Sequence, residues 1–120
     1  MRDFKELAVW KRSHQLTIEI YRATQKFPHE ETFGQVSQIR RAAASIPTNI
    51  AEGCGRQTTA EFANFLNIAS GSASEVEYEI LLAKDTGYLT NEQYERFTKE
   101  IQEIRSMLST YMNKVRATKK

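Results

Sequence analysis

Seven apolar residues near the C-terminus, Tyr94, Phe97, Ile101, Ile104, Leu108, Tyr111 and Val115, recur at alternating spacings of three and four. That period places all seven on one face of a helix and is incompatible with a strand. Thr90 and Gln93 have the spacing of a capping box, and Leu89 is positioned to staple onto Tyr94. Running from Thr90 to Arg116, the helix would be about 40 Å long. A stripe of that length is stable in water only when other helices cover it. The rest of the chain therefore has to supply those helices.

Three further helical patterns precede it. The first spans about residues 5–26, with Pro28 closing it by disfavouring helix at Phe27. It carries two stripes, Leu7-Trp10-His14-Ile18-Tyr21 and Val9-Ser13-Leu16-Ile20-Ala23-Phe27. Together they make an apolar arc wider than one partner helix needs. The second spans about residues 32–53, with Thr32 and Gln35 as its capping box and Gly53 and Gly55 as its stop. Pro47 falls inside it and is expected to kink rather than break it, because the pattern continues to Ile50. The third spans about residues 58–86, opening on a Thr58–Glu61 box and closing at Gly87 in a left-handed conformation. Its middle, Ser70-Gly71-Ser72-Ala73-Ser74, is all small, as expected where another backbone approaches closely. With the fourth helix at about 90–117, residues 1–120 read as one all-α domain. The expected architecture is an antiparallel up-down-up-down four-helix bundle, for which short loops are the natural connection.

The second helix has an unusual division. Val36, Ile39, Ala43, Ile46 and Ile50 form its apolar face. Gln38, Arg41, Ser45, Asn49 and Glu52 recur at the same spacings two residues later, which turns them by roughly 200° to the opposite side. Small alanines lie between. Such a helix packs on both sides, so the polar stripe reads as an inter-helix or inter-subunit hydrogen-bond network, with Glu75 of the third helix as the ion-pair partner of Arg41. The catalytic reading of the stripe fails because Ser45 has neither His nor Lys three or four residues away to serve as a base.

Other chemistry is thinly supported. Two histidines, His14 and His29, give no metal-ligand spacing, and Glu75, Glu77 and Glu79 lack the Glu-x-x-His pattern of di-iron bundles. A hydrogen-bonded histidine and a solvated or ion-paired acidic face are the simpler readings, and no metal or cofactor is expected. Gly53-Cys54-Gly55-Arg56 lies before a helix N-terminus but lacks the Lys-Ser/Thr of a phosphate loop, so a structural turn is expected. Cys54, the only cysteine, has no base beside it in sequence and reads as a reduced, inert thiol. No apolar run is long enough to span a membrane, and the charged start MRDFKELAVWKRS does not resemble a signal peptide, so a cytoplasmic location is expected.

The net charge is only +2, but it is unevenly distributed. Residues 57–95 hold one basic and seven acidic side chains, whereas residues 96–120 hold seven and two. Arg105, Lys114, Arg116, Lys119 and Lys120 lie in a stretch without any acid. That tail either complements the dipole of its own helix or contacts phosphates. Arg40 and Arg56 are the next cations to consider for the same role.

Three blocks, LAVWKRSHQLTIEIYRATQKFP, QIRRAAASIPTNIAEGCGR and EFANFLNIASGSASEVEYEILLAKDTGYL, resemble the family of proteins encoded in intervening sequences of bacterial large-subunit ribosomal RNA genes. Members of that family are often called ribosomal proteins. The family is itself similar to the accessory variability determinant of diversity-generating retroelements. The resemblance covers almost the whole chain. It departs at Cys54, where the family more often has an aromatic residue, which puts any packing role carried over to that position in doubt. What it implies is a ring-like homopentamer of four-helix bundles with no established enzymatic activity. The expectation is therefore a non-enzymatic homo-oligomeric scaffold that binds RNA or DNA weakly through basic surface. The competing expectation is an adaptor for a protein partner such as a reverse transcriptase.

Overall fold

A computed structural model describes residues 2–118, which form four long helices, α1 Ala8–Thr24, α2 Gln35–Cys54, α3 Thr59–Asp85 and α4 Asn91–Ala117. Single 3-10 turns, Phe4–Glu6 and His29–Glu31, precede α1 and α2, and there is no strand among the described residues. Both α1 and α3 pack against α2 and α4. The molecule measures 49 × 23 × 20 Å, one long helix in length and about two helices in each other direction.

The α4 stripe turns inward along its length. Phe97, Ile101, Ile104, Leu108 and Val115 are buried, while Tyr94 and Tyr111 rest half-covered at its margin. They meet Leu16 and Ile20 of α1, Ile39, Ile46 and Ile50 of α2, and Phe62, Leu66, Val76 and Ile80 of α3 in one core. The two stripes of α1 part company. Val9, Ser13, Leu16 and Ile20 are buried, whereas Trp10 and Ile18 are half-buried and His14 and Tyr21 are exposed. The wide arc is thus only half used by the core.

α2 runs unbroken through Pro47, which is buried. A proline has no amide hydrogen, so the Ala43 carbonyl one turn earlier loses its helical donor. The Thr17 hydroxyl of α1 lies 3.1 Å from that carbonyl and 2.7 Å from the carbonyl of Ser13, and its proton serves both. The breaker is tolerated because a neighbouring helix supplies a donor.

Helix ends depart from the sequence reading in two places. The Asp3 side chain accepts from the Lys5 amide and Leu7 is extended, so α1 starts at Ala8 rather than near residue 5. Thr32 does not cap α2: its hydroxyl donates to the His29 carbonyl, and the Glu31 carboxylate accepts from the Gln35 amide at 3.0 Å. An anion suits the positive end of a helix better than a hydroxyl does, and α2 starts at Gln35 instead of Thr32. α2 does end at the expected glycines, at Cys54 with Gly55 as its cap, but Gly55 is right-handed at φ −86° rather than left-handed. Gly53 is helical and buried, and a Cβ there would lie 2.9 Å from both Phe62 Cδ1 and Phe65 Cβ. Its role is close approach of α2 to the start of α3. The remaining ends follow the expected chemistry. Thr58 accepts from the Glu61 amide, and Thr90 with Gln93 forms a complete capping box. Gly87, at φ +87°, closes α3 with Tyr88 N–H donating to the Ala83 carbonyl and its own N–H to Lys84. This is a Schellman pattern, in which the left-handed residue is nearly always glycine.

Candidate functional site

The polar stripe of α2 separates into three parts. At its centre, Ser45 Oγ lies 2.8 Å from Ser72 Oγ of α3, and Asn49 Nδ2 donates to the Ser45 carbonyl at 2.8 Å and to Ser45 Oγ at 3.0 Å. These groups are half-buried, and the small residue at position 72 lets α3 come this near. The Ser45 hydroxyl has only hydroxyl and amide partners, so nothing bonded to it can take its proton. At the C-terminal part, Glu52 pairs with Arg56 one turn later at 2.8 Å. At the N-terminal part, Gln38 and Arg41 are exposed, as is Glu75 on α3. The expected Arg41–Glu75 ion pair does not form within the chain: both side chains are exposed, and the polar contact between α2 and α3 on this stripe is the one from Ser45, one turn on, to Ser72.

The cations singled out in the sequence also divide by environment. Arg105 is ion-paired with Glu77 of α3, whose other carboxylate oxygen accepts from Gln102 at 3.0 Å. Arg40 is a fastener between α1 and α2: it donates to Thr24 Oγ1 at 2.8 Å and to the Tyr21 carbonyl at 3.1 Å, and lies over the Tyr21 ring. Arg56, besides its pair with Glu52, lies over the Phe65 ring. Lys114 and Arg116 are exposed and have no ion-pair partner among the described residues. Lys119 and Lys120 lie outside the described residues.

Lys114, Arg116 and Arg56 lie toward one end of the molecule, as does a residue that periodicity could not find, Arg2. Its amide donates to the Cys54 carbonyl at 3.1 Å, and its guanidinium stands over the Phe62 ring, 4.4 Å from the centroid. Tyr111 meets the same ring edge-on. Arg116 lines a cleft with Thr59, Ala60, Ala63 and Asn64 at the start of α3, and Lys114 a groove of about 370 Å³ beside Leu7, Ala8 and Val9. Arg2 precedes every helix, so no spacing rule assigns it a neighbour. Only the chain's return past the end of α2 does.

The remaining reactive groups are quiet. Cys54 is buried, which pushes its thiol up and keeps it protonated. The Gly55 and Arg56 amides donate back to the carbonyls of Glu52 and Gly53, so they are not turned toward an anion. His14 stacks on Trp10, with ring centroids 4.7 Å apart. Burial, with Glu75 adding to it, raises Glu79.

A family model described as 23S rRNA-intervening sequence protein matches residues 5–110. The chain belongs to the 23S rRNA-intervening sequence protein family. It is similar to a protein of unknown function from the S23 ribosomal protein family of Bacteroides thetaiotaomicron VPI-5482, known from a crystal structure. The two share 33% identity and a TM-score of 0.79, over 88% of this chain and 98% of that one. No curated protein matches. Within this 23S rRNA-intervening sequence protein, the matched residues include the whole α2 stripe and Arg105 but end before Lys114 and Arg116.

Proposed function

We propose that the protein is a non-enzymatic, homo-oligomeric helical scaffold that binds RNA or DNA weakly through the basic end of its bundle. The observation that carries this reading is that Lys114 and Arg116, exposed and without ion-pair partners among the described residues, lie toward the same end of the bundle as Arg2 and the Glu52-paired Arg56. Cations gathered this way raise the local potential although the net charge is only +2. The nearby rings of Phe62 and Phe65 are already covered by Arg2 and Arg56. Base stacking adds little, and binding is to phosphates, largely independent of sequence.

An antiparallel up-down-up-down arrangement is part of the proposal. It is supported by cross-helix pairs whose numbers run in opposite directions: Arg12 with Glu103 and Glu19 with Arg96 between α1 and α4, and Gln35 with Thr86 and Ser45 with Ser72 between α2 and α3. A homo-oligomer is supported by the half-covered Trp10 stripe of α1, and a ring of five copies by the family resemblance. Such a ring repeats the basic end in each copy. A cytoplasmic location fits this reading.

The test is a titration of labelled structured RNA with the intact oligomer and with a variant carrying Lys114, Arg116, Lys119 and Lys120 as glutamate. The parent binds and the variant does not, while both keep the same oligomeric mass. Binding that survives the reversal places the site elsewhere, with Arg2 the next residue to change. An intact oligomer that binds no RNA favours the second reading, an adaptor for a protein partner such as a reverse transcriptase. The observation on that side is Phe33, which is 94% exposed ahead of α2, where a protein pocket could receive it.

A further inference from the structure

Among the described residues, two apolar surfaces lie beside unpaired charges. One is on α3, where Ile68, Gly71, Glu75, Tyr78 and Leu82 recur at helical spacing and so share a face. Ile68 and Tyr78 are 42% and 57% exposed, and a Cβ added at Gly71 would meet nothing within 4 Å. The small run around Gly71 therefore leaves backbone open outward as well as toward α2. The other is a groove of about 300 Å³ between α1 and α2, lined in part by Trp10, His14, Ala44, Pro47 and Ala51. It holds Trp10 and His14 of the α1 stripe that the core only partly covers.

The charges beside these surfaces are opposite. The α3 face carries exposed Glu75, with Glu79 next to it held high by burial and by Glu75 itself. The outer side of α2 carries Arg41, exposed. Neither Arg41 nor Glu75 has an ion-pair partner among the described residues.

We infer that the α3 face of one copy packs into the α1–α2 groove of a second copy, with Glu75 of one facing Arg41 of the other. This rests on the homo-oligomeric part of the proposed function and assigns its interface. A second copy is the occupant because one chain carries both complementary faces, each with the unpaired charge the other needs. The two faces differ, so the contact is heterologous. They lie on α3 and on the outside of α1 and α2, so each copy can use both at once. Such contacts propagate, and close into a ring when the rotation allows.

Sedimentation velocity at micromolar concentration tests the assignment. Arg41→Glu and Glu75→Arg each place like charges together and weaken assembly by roughly tenfold or more. The double variant R41E/E75R restores it. Gly71→Leu has room within the chain, so it folds with the parent's helix content and yet fails to assemble. If the single variants assemble as the parent does, or the double variant does not recover, the interface lies elsewhere and only this inference falls. A parent that is monomeric at that concentration overturns both the inference and the oligomer it rests on.

Discussion

At the scale of single residues, the structure hangs on a few positions where no other side chain serves. Gly53 is one. Its absent Cβ leaves room for Phe62 and Phe65, and Phe65 Cβ cannot rotate away. Gly53→Ala is expected to destabilise by about 1–3 kcal/mol, as overpacking does, and to lower the melting temperature measured by circular dichroism. Thr17 is another. Thr17→Val keeps the shape but removes the donor that serves the Ala43 carbonyl left open by Pro47. A buried carbonyl without a partner costs about 1–3 kcal/mol, and chemical denaturation should show a lower midpoint with an unchanged slope. Restoring an amide by Pro47→Ala in the same background should recover part of the loss. Pro47 itself was legible in the sequence as an anomaly. Its remedy was not, because Thr17 is 30 residues away and belongs to a different helix.

At the scale of elements, α1 and α4 are joined by charge as well as by core. Arg12 donates to both oxygens of Glu100, at 2.6 and 2.8 Å, and to Glu103 at 2.5 Å. Half-exposed and bidentate, the group contributes about 1 kcal/mol after screening by solvent. The hydrogen bonds from Arg12 hold Glu100 below the usual carboxylate range. A carboxylate depressed in the folded state stabilises fully above its unfolded value of about 4.3 and loses that contribution as pH falls through the folded value. Glu100→Gln is therefore expected to be less stable than the parent at neutral pH and to show a shallower loss of stability below about pH 4, measured by urea unfolding across pH. All four helices were legible because their apolar periods are long. Their starts were less so. Thr32-x-x-Gln35 and Glu31-x-x-x-Gln35 compete for the same amide, and the carboxylate wins by its charge. Gly53-x-Gly55 looks like a stop whether it ends a helix or admits a neighbour.

At the scale of the whole molecule, the sequence places seven cations in its last 25 residues, but only the fold sorts them. Arg105 is held by Glu77 of α3 and Arg96 by Glu19 of α1, while Lys114 and Arg116 have no ion-pair partner among the described residues. Contiguity in sequence overstated how many of these cations are free. The polar stripe of α2 was equally legible as a stripe. Its division into a half-buried Ser45–Asn49–Ser72 cluster and an outward Arg41 depends on where α3 passes. If the basic end is the phosphate-binding surface, affinity for structured RNA must follow the release of counterions, with log K falling linearly in log salt. The direct measurement is the binding constant of the protein for one structured RNA at salt concentrations from about 50 to 200 mM. The proposed function predicts a steep negative slope that flattens when Lys114 and Arg116 are changed to glutamate. A slope near zero, or one the substitutions leave unchanged, would contradict it.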